Sequence, residues 1–465
     1  MGSPPSRHHL AVDDSFWTWL DSPETPMHVA ALAIFESDAE PADLVARRIA
    51  TAFRNRTDME GRFRTLIRAR RFPRRARLHA AGTVEIDYHL LEHTLPAPGG
   101  EDELAQLISH LHSMALDERR PMWEVHVIAG LQHNRFAVYL KVHHALINGV
   151  DAVRLLARSL ATDAGSRIPD PVWALRRTAH PGPDSADNTA RPSRFRVLIT
   201  SLRAAARLWR AGRTDSPLVG PFQAPRSPLN SGDVAPDRRV CTASIELDRV
   251  KLLSKLSRST VNDVVLAVCS AALRRYLLDI GGLPASPLVI GCPTSIKASP
   301  GSSRSSVGIM FVDSATDQSD PGIRLSVISR STTAAKAHLA TLPHEALVSH
   351  SILAMAPHTL RQLIPRAVGR CAPMFNMIIS NVPGPDRPRY LAGARMVALY
   401  PLSLLFRGEG LNITAVSYDG RMHLGFTAGG PTLSQVHLFT RYLETAMDEL
   451  ENHYATVIPD LGRPA

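Results

Sequence analysis

Lys141-Val-His-His-Ala-Leu-Ile-Asn-Gly-Val150 joins a predicted strand to a predicted helix. Apolar residues alternate with other residues from Arg135 to Val142, which is the pattern of a β-strand. The same alternation places His143 and His144 on opposite faces, and His144 continues the apolar face of the strand. Asn148-Gly149 then opens a helical pattern. A neutral imidazole at such a strand end is suited to general-base chemistry.

The bulk composition describes a globular protein with a basic surface. The chain has 465 residues, of which 44% are hydrophobic and 21% are charged, so two or three domains are expected. Its formal net charge of +10 favours anionic partners. The first ten residues lack the apolar core of a signal peptide, which predicts a cytoplasmic protein. Four scattered cysteines without a CxxC pair fit a reducing compartment and predict no metal or disulfide framework: Cys241, Cys269, Cys292 and Cys371.

An arginine-rich segment runs from Arg62 to Arg77. Nucleic-acid binding is one interpretation, but only Phe63 and Phe72 are interleaved with its eight arginines. The alternating pattern instead favours strands with a solvated basic face, which would suit an anionic ligand or a membrane. We therefore predict no nucleic-acid partner.

Strands and helices are mixed in both halves of the chain, which predicts an α/β fold. We predict an N-terminal lobe over residues 1–164, a proline-rich crossover over 165–237 and a C-terminal lobe over 238–465. Strands are predicted at 26–35, 84–90, 124–129, 135–142, 240–247, 288–292, 374–379, 397–405, 412–417 and 423–427. Helices are predicted at 41–53, 102–114, 194–213, 247–258, 260–277, 324–342, 344–368 and 433–452, and a tight turn at 380–385.

The helix at 194–213 in the crossover alternates arginines with leucines and Trp209. This composition suits a helix lying on an anionic bilayer. The alternative is a linker helix packed across the two lobes. The sequence leaves both interpretations open.

The two histidines have three candidate functions: metal binding, nucleophilic hydrolysis and general-base acyl transfer. A metal site is disfavoured because adjacent strand residues diverge and no HExxH motif is present. Nucleophilic hydrolysis would need a Gly-x-Ser-x-Gly elbow, which is absent. General-base acyl transfer needs one well-held imidazole, and the remaining alternative is that both side chains only pack. In the second half, Thr260 and Asp263 form a predicted capping box, whereas capping explains Asn262 less easily.

His143-His144-Ala-Leu-Ile-Asn148-Gly149 resembles the HHxxxDG motif of acyltransferases related to chloramphenicol acetyltransferase and peptide-synthetase condensation domains. Further stretches resemble the bacterial wax ester synthase/diacylglycerol acyltransferase family in its own order along the chain. They are Pro26-Met-His-Val-Ala, Ile86-Asp-Tyr-His, Leu95-Pro-Ala-Pro-Gly, Leu116-Asp-Glu-Arg-Arg-Pro-Met-Trp-Glu124, Thr260-Val-Asn-Asp-Val264, Asn381-Val-Pro-Gly-Pro385 and Ser417-Tyr-Asp-Gly420.

The resemblance implies two chloramphenicol-acetyltransferase-like lobes with the active site between them. It implies transfer of a long-chain acyl group from acyl-CoA, as co-substrate and without a cofactor, to diacylglycerol or a fatty alcohol. His144 would be the base and His143 a supporting residue, together with Asn148 and Gly149 of the motif. Asn262 would shape the oxyanion site, and Asp263 would cap its helix. Peripheral contact with the inner face of an anionic membrane or with lipid droplets would follow.

The chain departs from the family pattern at several positions. Asn148 replaces the motif aspartate, which in wider relatives pairs with an arginine, so a charge-assisted contact would be weakened. The tryptophan before the Asp-Tyr-His strand is missing, and Gly308-Ile309 replaces a Gly-Asn pair. One alternative is therefore a weak or inactive lipid-binding relative. Another is a condensation-type transferase that uses a carrier-protein thioester.

Overall fold

Two six-stranded sheets organise the computed structural model, which describes residues 10, 12–69, 72, 74–165, 167–175, 194–211, 216–230, 236–297, 305–342, 344–364, 372–430 and 433–457. The elements up to the crossover are α1 (Val12–Leu20), β1 (His28–Glu36), α2 (Ala42–Arg54), β2 (Thr65–Arg68), β3 (Arg77–Ala80), α3 (Ile86–His89), β4 (Leu90–Thr94), α4 (Glu101–Ser113), β5 (Trp123–Leu131), β6 (Arg135–His143) and α5 (Gly149–Arg158).

The elements of the crossover and the second half follow in chain order. They are α6 (Arg194–Ala211), β7 (Arg238–Glu246), α7 (Leu247–Leu256), α8 (Val261–Asp279), β8 (Val289–Lys297), β9 (Ser305–Asp313), α9 (Pro321–Ala340), α10 (His344–Gln362), β10 (Met377–Pro383), β11 (Tyr390–Leu391), β12 (Ala394–Leu402), β13 (Leu411–Tyr418), β14 (Arg421–Gly429) and α11 (Leu438–Val457).

The first sheet contains strands from both halves of the chain, in the order β11-β12-β1-β6-β5-β4. Strand β1 runs antiparallel to β6, with His28 opposite His143, and antiparallel to β12 on its other side. The predicted domain boundaries stay a prediction. The topology adds that β12 pairs with β1 of the N-terminal lobe and that β11 pairs with β12.

The second sheet has the order β7-β14-β13-β10-β8-β9. Helix α8 packs beside α11 and is buried along most of its length, because it carries apolar residues on nearly every side. Its first turn is closed by the predicted capping box of Thr260 and Asp263. The two sheets with their covering helices give the predicted α/β architecture.

Strand β6 is buried on both faces, which positions the histidine pair. Phe136, Val138 and Leu140 belong to a core that also includes side chains of α2 and α5. On the other face Tyr139 packs with α4, and the Lys141 ammonium donates to the carbonyl of Leu111 in α4 at 3.0 Å. The strand therefore ends at a fixed point between two packed layers.

The predicted strand at 84–90 is wrong, since Ile86–His89 is one helical turn and the strand is Leu90–Thr94. Its alternating apolar residues also fit a single turn of helix. That turn places His89 against Trp123, with 4.3 Å between the ring centroids and 2.7 Å from His89 Nδ1 to the Trp123 carbonyl. Packing across to β5 decides the local structure here.

The predicted turn at 380–385 is also partly wrong, because β10 continues through Pro383 and pairs in parallel with β13. Proline is tolerated at the end of this ladder. The chain turns at Gly384, where a Cβ atom would collide with the carbonyl oxygen of Ser417. Residues 365–368 of the helix predicted at 344–368 lie outside the described residues. Among the described elements, α1, β9 and β11 lie where no helix or strand was predicted.

The predicted crossover is described only at 165, 167–175, 194–211, 216–230 and 236–237. Helix α6 packs against α10 and buries Ser201, Ala204 and Leu208. One face of α6 is therefore packed, whereas packing of this helix across the two lobes stays a prediction. Among the described helices, none combines the length and apolar character needed to cross a bilayer.

Candidate active site

The histidine pair is held between the two strands that flank β6. The backbone N–H of His143 donates to the Met122 carbonyl at 3.0 Å, just before β5. The N–H of His144 donates to the Met27 carbonyl at 2.9 Å, just before β1. Both imidazoles are therefore fixed at the end of the first sheet.

His144 is half-buried and packs on the indole ring of Trp17, with 3.8 Å between the ring centroids. Burial, and then the neighbouring His143, lower the pKa of His144 to about 3, so its imidazole is neutral at pH 7. Its Nδ1 is buried, and no other described residue gives that atom a hydrogen-bond partner. Nε2 is the ring nitrogen left to accept a proton from a substrate.

His143 is buried and points away from His144 into polar surroundings. Its Nδ1 accepts the N–H of Ala145 at 3.1 Å, which leaves Nε2 as the N–H donor of the ring. Nε2 lies 3.5 Å from the Asp21 carboxylate, whose other oxygen accepts the Met27 N–H at 2.8 Å. Asp21 thus holds the start of β1 and faces His143 at the same time.

A buried ion pair lies on the same side of β6 as His143. Lys141 Nζ lies 2.7 Å from Glu124 Oε2 and also donates to the carbonyls of Leu111 and Met114. The side chain of Lys141 is only 1% exposed, so Glu124 is essential to compensate its charge. This pair joins β5, β6 and α4 behind the motif.

Asn148 caps helix α5 rather than holding an ion pair. Its side-chain oxygen accepts the Asp151 N–H at 2.9 Å, and its amide donates to the Asp151 carboxylate at 3.1 Å. Asparagine and aspartate are equally good N-caps, so the substitution leaves this local function intact. Gly149 begins the helix, and a Cβ atom there would meet open space.

Asn262 and Asp263 occupy different environments at the start of α8. Asp263 is buried, accepts the Thr260 N–H at 2.9 Å and also accepts the Thr332 hydroxyl of α9 at 2.7 Å. Asn262 is half-buried, and its side-chain oxygen lies 3.5 Å from Asn381 Nδ2 in β10. The described side chains bring Asn262 together with Asn381 and not with the histidines.

Apolar side chains continue from the histidine pair towards the second half of the chain. The ring centroid of Trp17 lies 6.1 Å from that of Phe406, which in turn packs on His358 of α10. One hydrophobic core contains residues of both sheets. Half-buried side chains that pack against this core include three near the motif and three in the second half of the chain: Trp17, Leu146 and Val150, and Ile309, Met355 and Leu363. An extended hydrocarbon chain would find apolar contacts along this path.

Asp21 and Trp17 are the residues that the sequence interpretation missed. Trp17 lies in α1, which was not predicted. Asp21 opens the turn before Pro26-Met-His-Val-Ala, one of the stretches that carries the family resemblance. Among the described residues, no group of three or more histidine, cysteine, aspartate or glutamate side chains is placed to hold a metal ion.

Comparison with known proteins identifies the family. Residues 10–265 match the wax ester synthase/diacylglycerol acyltransferase catalytic domain, and residues 305–451 match the WS/DGAT C-terminal domain. The chain belongs to this family. The "Probable diacyglycerol O-acyltransferase tgs2" of Mycobacterium tuberculosis is 34% identical to it, over 95% of this chain and 98% of that protein. The "O-acyltransferase WSD" of Acinetobacter baylyi is 33% identical, over 79% and 81%.

Solved structures agree with this membership of the WS/DGAT family. The wax ester synthase/diacylglycerol acyltransferase of Marinobacter aquaeolei VT8 matches with a TM-score of 0.78 and 31% identity, over 96% of this chain and 99% of that one. The starter condensation domain of rhizomide synthetase RzmA, solved with C8-CoA, matches with a TM-score of 0.51 and 12% identity, over 96% and 95%. The latter likeness shows a shared fold alone.

The predicted family, the two-lobe fold and the O-acyltransferase class are confirmed by these matches. The roles predicted for His144, His143, Asn148, Gly149, Asn262 and Asp263 stay predictions.

Proposed function

We propose that this WS/DGAT family member transfers a long-chain acyl group from acyl-CoA to diacylglycerol, forming triacylglycerol, and to long-chain fatty alcohols, forming wax esters. The observation that carries the proposal is the environment of His144. Its neutral, half-buried imidazole stands where the apolar path begins, so a proton acceptor and an acyl-binding surface adjoin each other.

The proposed reaction needs a single base. Nε2 of His144 takes the proton of the acceptor hydroxyl while that oxygen attacks the thioester carbonyl. The tetrahedral oxyanion then collapses, the carbon–sulfur bond breaks, and the CoA thiolate leaves with the proton from His144. Asn262 would stabilise the oxyanion or shape its pocket, and His143 would orient the motif. No covalent acyl-enzyme, metal or cofactor takes part.

The decisive assay measures CoA release from palmitoyl-CoA by the purified protein, with diacylglycerol and hexadecanol offered separately. We expect release that depends on the acceptor, together with the matching ester by mass spectrometry. If the protein bound palmitoyl-CoA but released no CoA with either acceptor, the proposal would be contradicted and a lipid-binding relative would be supported. Release only from an acyl-carrier-protein thioester would identify a condensation-type transferase.

We further propose that the protein docks peripherally on an anionic membrane at the inner face of the cell or on lipid droplets, through the outer face of α6. Leu202 and Trp209 are 49% and 38% exposed there, beside the exposed side chains of Arg203, Arg207 and Arg210. Leu360 near the end of α10 and Ile364 just after it are also exposed. Apolar side chains ringed by arginines match the chemistry of a lipid surface with negative headgroups.

Charge-driven docking predicts a clear dependence on lipid and salt. In liposome sedimentation, binding to vesicles with phosphatidylglycerol should exceed binding to phosphatidylcholine alone and should weaken as sodium chloride rises. Arg203→Gln with Arg210→Gln should lower the affinity about fivefold per arginine. Arg275→Gln, an exposed arginine of α8, is the matched control. Binding that ignored both lipid charge and salt would contradict docking through this face.

A further inference from the structure

A cavity lies outside the histidine site. It has a volume of about 440 Å³, which is within the range of small-ligand pockets. It opens between the segment 81–85 that follows β3 and the turn at 117–121 that precedes β5. Leu66, Val84 and Pro121 give the lining an apolar part. Its polar side chains include those of His89, two arginines and two carboxylates, namely Arg119, Arg120, Glu85 and Asp117.

Three arginines of the arginine-rich segment lie beside this cavity without lining it. Arg64 donates to the carbonyl of Gly82 in the cavity wall at 3.3 Å. In the β2–β3 ribbon, Arg68 lies directly opposite Arg77. Both occupy the same face as Leu66, which lines the cavity.

Two arginines directly opposite each other repel, which destabilises the ribbon unless an anion lies between them. The Arg77 Nε atom is buried and has no hydrogen-bond partner among the described residues. An anionic ligand on this face would reduce the repulsion between the two guanidinium groups.

The two arginines of the turn are held by carboxylates at the cavity mouth. Arg119 pairs with Asp117 at 2.9 Å, and Arg120 pairs with Glu85 at 2.6 Å and lies over the ring of Tyr88. These exposed pairs are weak, but they orient the guanidinium groups. Each guanidinium has five N–H donors, and only some of them bond to its carboxylate.

His89 adds a hydrogen-bond acceptor to the cavity. Its Nδ1 donates to the Trp123 carbonyl, and burial lowers its pKa, so the ring is neutral with a lone pair on Nε2. The arginines of the ribbon and the turn suit phosphates, while the His89 acceptor and the two lining carboxylates suit hydroxyl or amino donors. The apolar walls suit a flat base. A nucleoside phosphate has this chemistry.

We propose that this cavity and the adjoining arginine face bind the 3′-phosphorylated ADP portion of CoA. The assignment rests on the proposed use of acyl-CoA. The cavity lies close to the motif, since Pro121 lines it and the next carbonyl, that of Met122, holds the His143 N–H. On the other face of the ribbon, Ile67 packs in a cluster with Met122 and Ala145. The flexible pantetheine arm would cross this ribbon edge to reach His144.

Binding can be tested without catalysis, using adenosine 3′,5′-bisphosphate as the probe. Isothermal titration calorimetry should show binding to the native protein that weakens with salt. Arg64→Gln with Arg120→Gln should weaken it about tenfold, and Arg275→Gln should leave it unchanged. Equal affinity of the native protein and the double variant, or no binding to either, would overturn the assignment.

Kinetics separate this inference from the proposed function. The double variant should raise KM for palmitoyl-CoA about tenfold at nearly constant kcat, because its substitutions lie away from the base. Its rate with the palmitoyl thioester of N-acetylcysteamine, which lacks the nucleotide, should match the native rate and also report correct folding. An unchanged KM for palmitoyl-CoA would overturn the nucleotide site alone, whereas a native protein inactive with both thioesters would overturn the proposed function.

Discussion

Replacing His144 with alanine should lower kcat/KM for acyl transfer by about 10²–10⁴-fold, which is the usual contribution of a positioned general base. The imidazole is the neutral, half-buried group at the start of the apolar path, and Trp17 holds its ring in place. Palmitoyl-CoA binding should persist, because the substitution removes a proton acceptor and leaves the proposed nucleotide cavity untouched. CoA release and ester formation measure the first effect, and calorimetry measures the second.

His110→Ala is the matched control, since this histidine is exposed on α4 and should be dispensable. A His144→Ala protein within threefold of the native rate would show that another group takes the proton.

The pH profile gives an independent check on the same residue. Burial lowers the pKa of His144 to about 3, and only the unprotonated ring can act as a base. The value of kcat/KM should therefore stay level as pH falls through 6.5, the ordinary histidine value, and should decline only as pH approaches the lowered pKa. Circular dichroism would confirm the folded range. A fall in kcat/KM centred near pH 6.5 would contradict the assignment of His144, with its lowered pKa, as the base.

Replacing Glu124 with glutamine should lower the free energy of unfolding by about 3–5 kcal/mol, because it leaves the Lys141 ammonium buried without a counter-charge. Lys141 is 1% exposed and lies 2.7 Å from the Glu124 carboxylate. The two carbonyls that accept from its Nζ compensate only part of the charge. Urea denaturation followed by tryptophan fluorescence would measure the loss.

Two further variants complete this test. Glu449→Gln breaks an exposed ion pair with Arg275 and should cost only about 0–1 kcal/mol. The double variant Glu124→Gln with Lys141→Met removes both charges and should recover much of the stability lost by the single one. If Glu124→Gln lowered the free energy of unfolding no more than Glu449→Gln does, the ion pair of Glu124 with Lys141 would not be needed for stability.

The parts of the site that the sequence predicted are those encoded locally. The alternation along β6 predicted that His144 lies on the apolar face. The capping box of α8 was predictable because Thr260 and Asp263 are only three residues apart. Asp21 and Trp17 could not be found in the same way, because they meet the histidines only through tertiary packing. Lys141 was placed on the face of His143, but its burial depends on Glu124 in another strand.

Non-local pairing also explains the errors in the fold. The stretch 84–90 has an apolar alternation that fits a strand, but the contact of His89 with Trp123 favours one helical turn. No short-range signal connects the strands at 390–402 with β1, more than 350 residues earlier in the chain.

That pairing limits how the two halves of this enzyme can be separated. Cutting the chain in the crossover would leave β1, the nine-residue segment His28–Glu36, without its neighbour β12. A long apolar strand with one open edge recruits other chains, so an isolated first half would aggregate. Exchange of lobes between relatives, in the laboratory or in evolution, would have to carry residues 390–402 with the first half. The same shared sheet opposes a hinged opening of the two halves, because β12 would have to separate from β1.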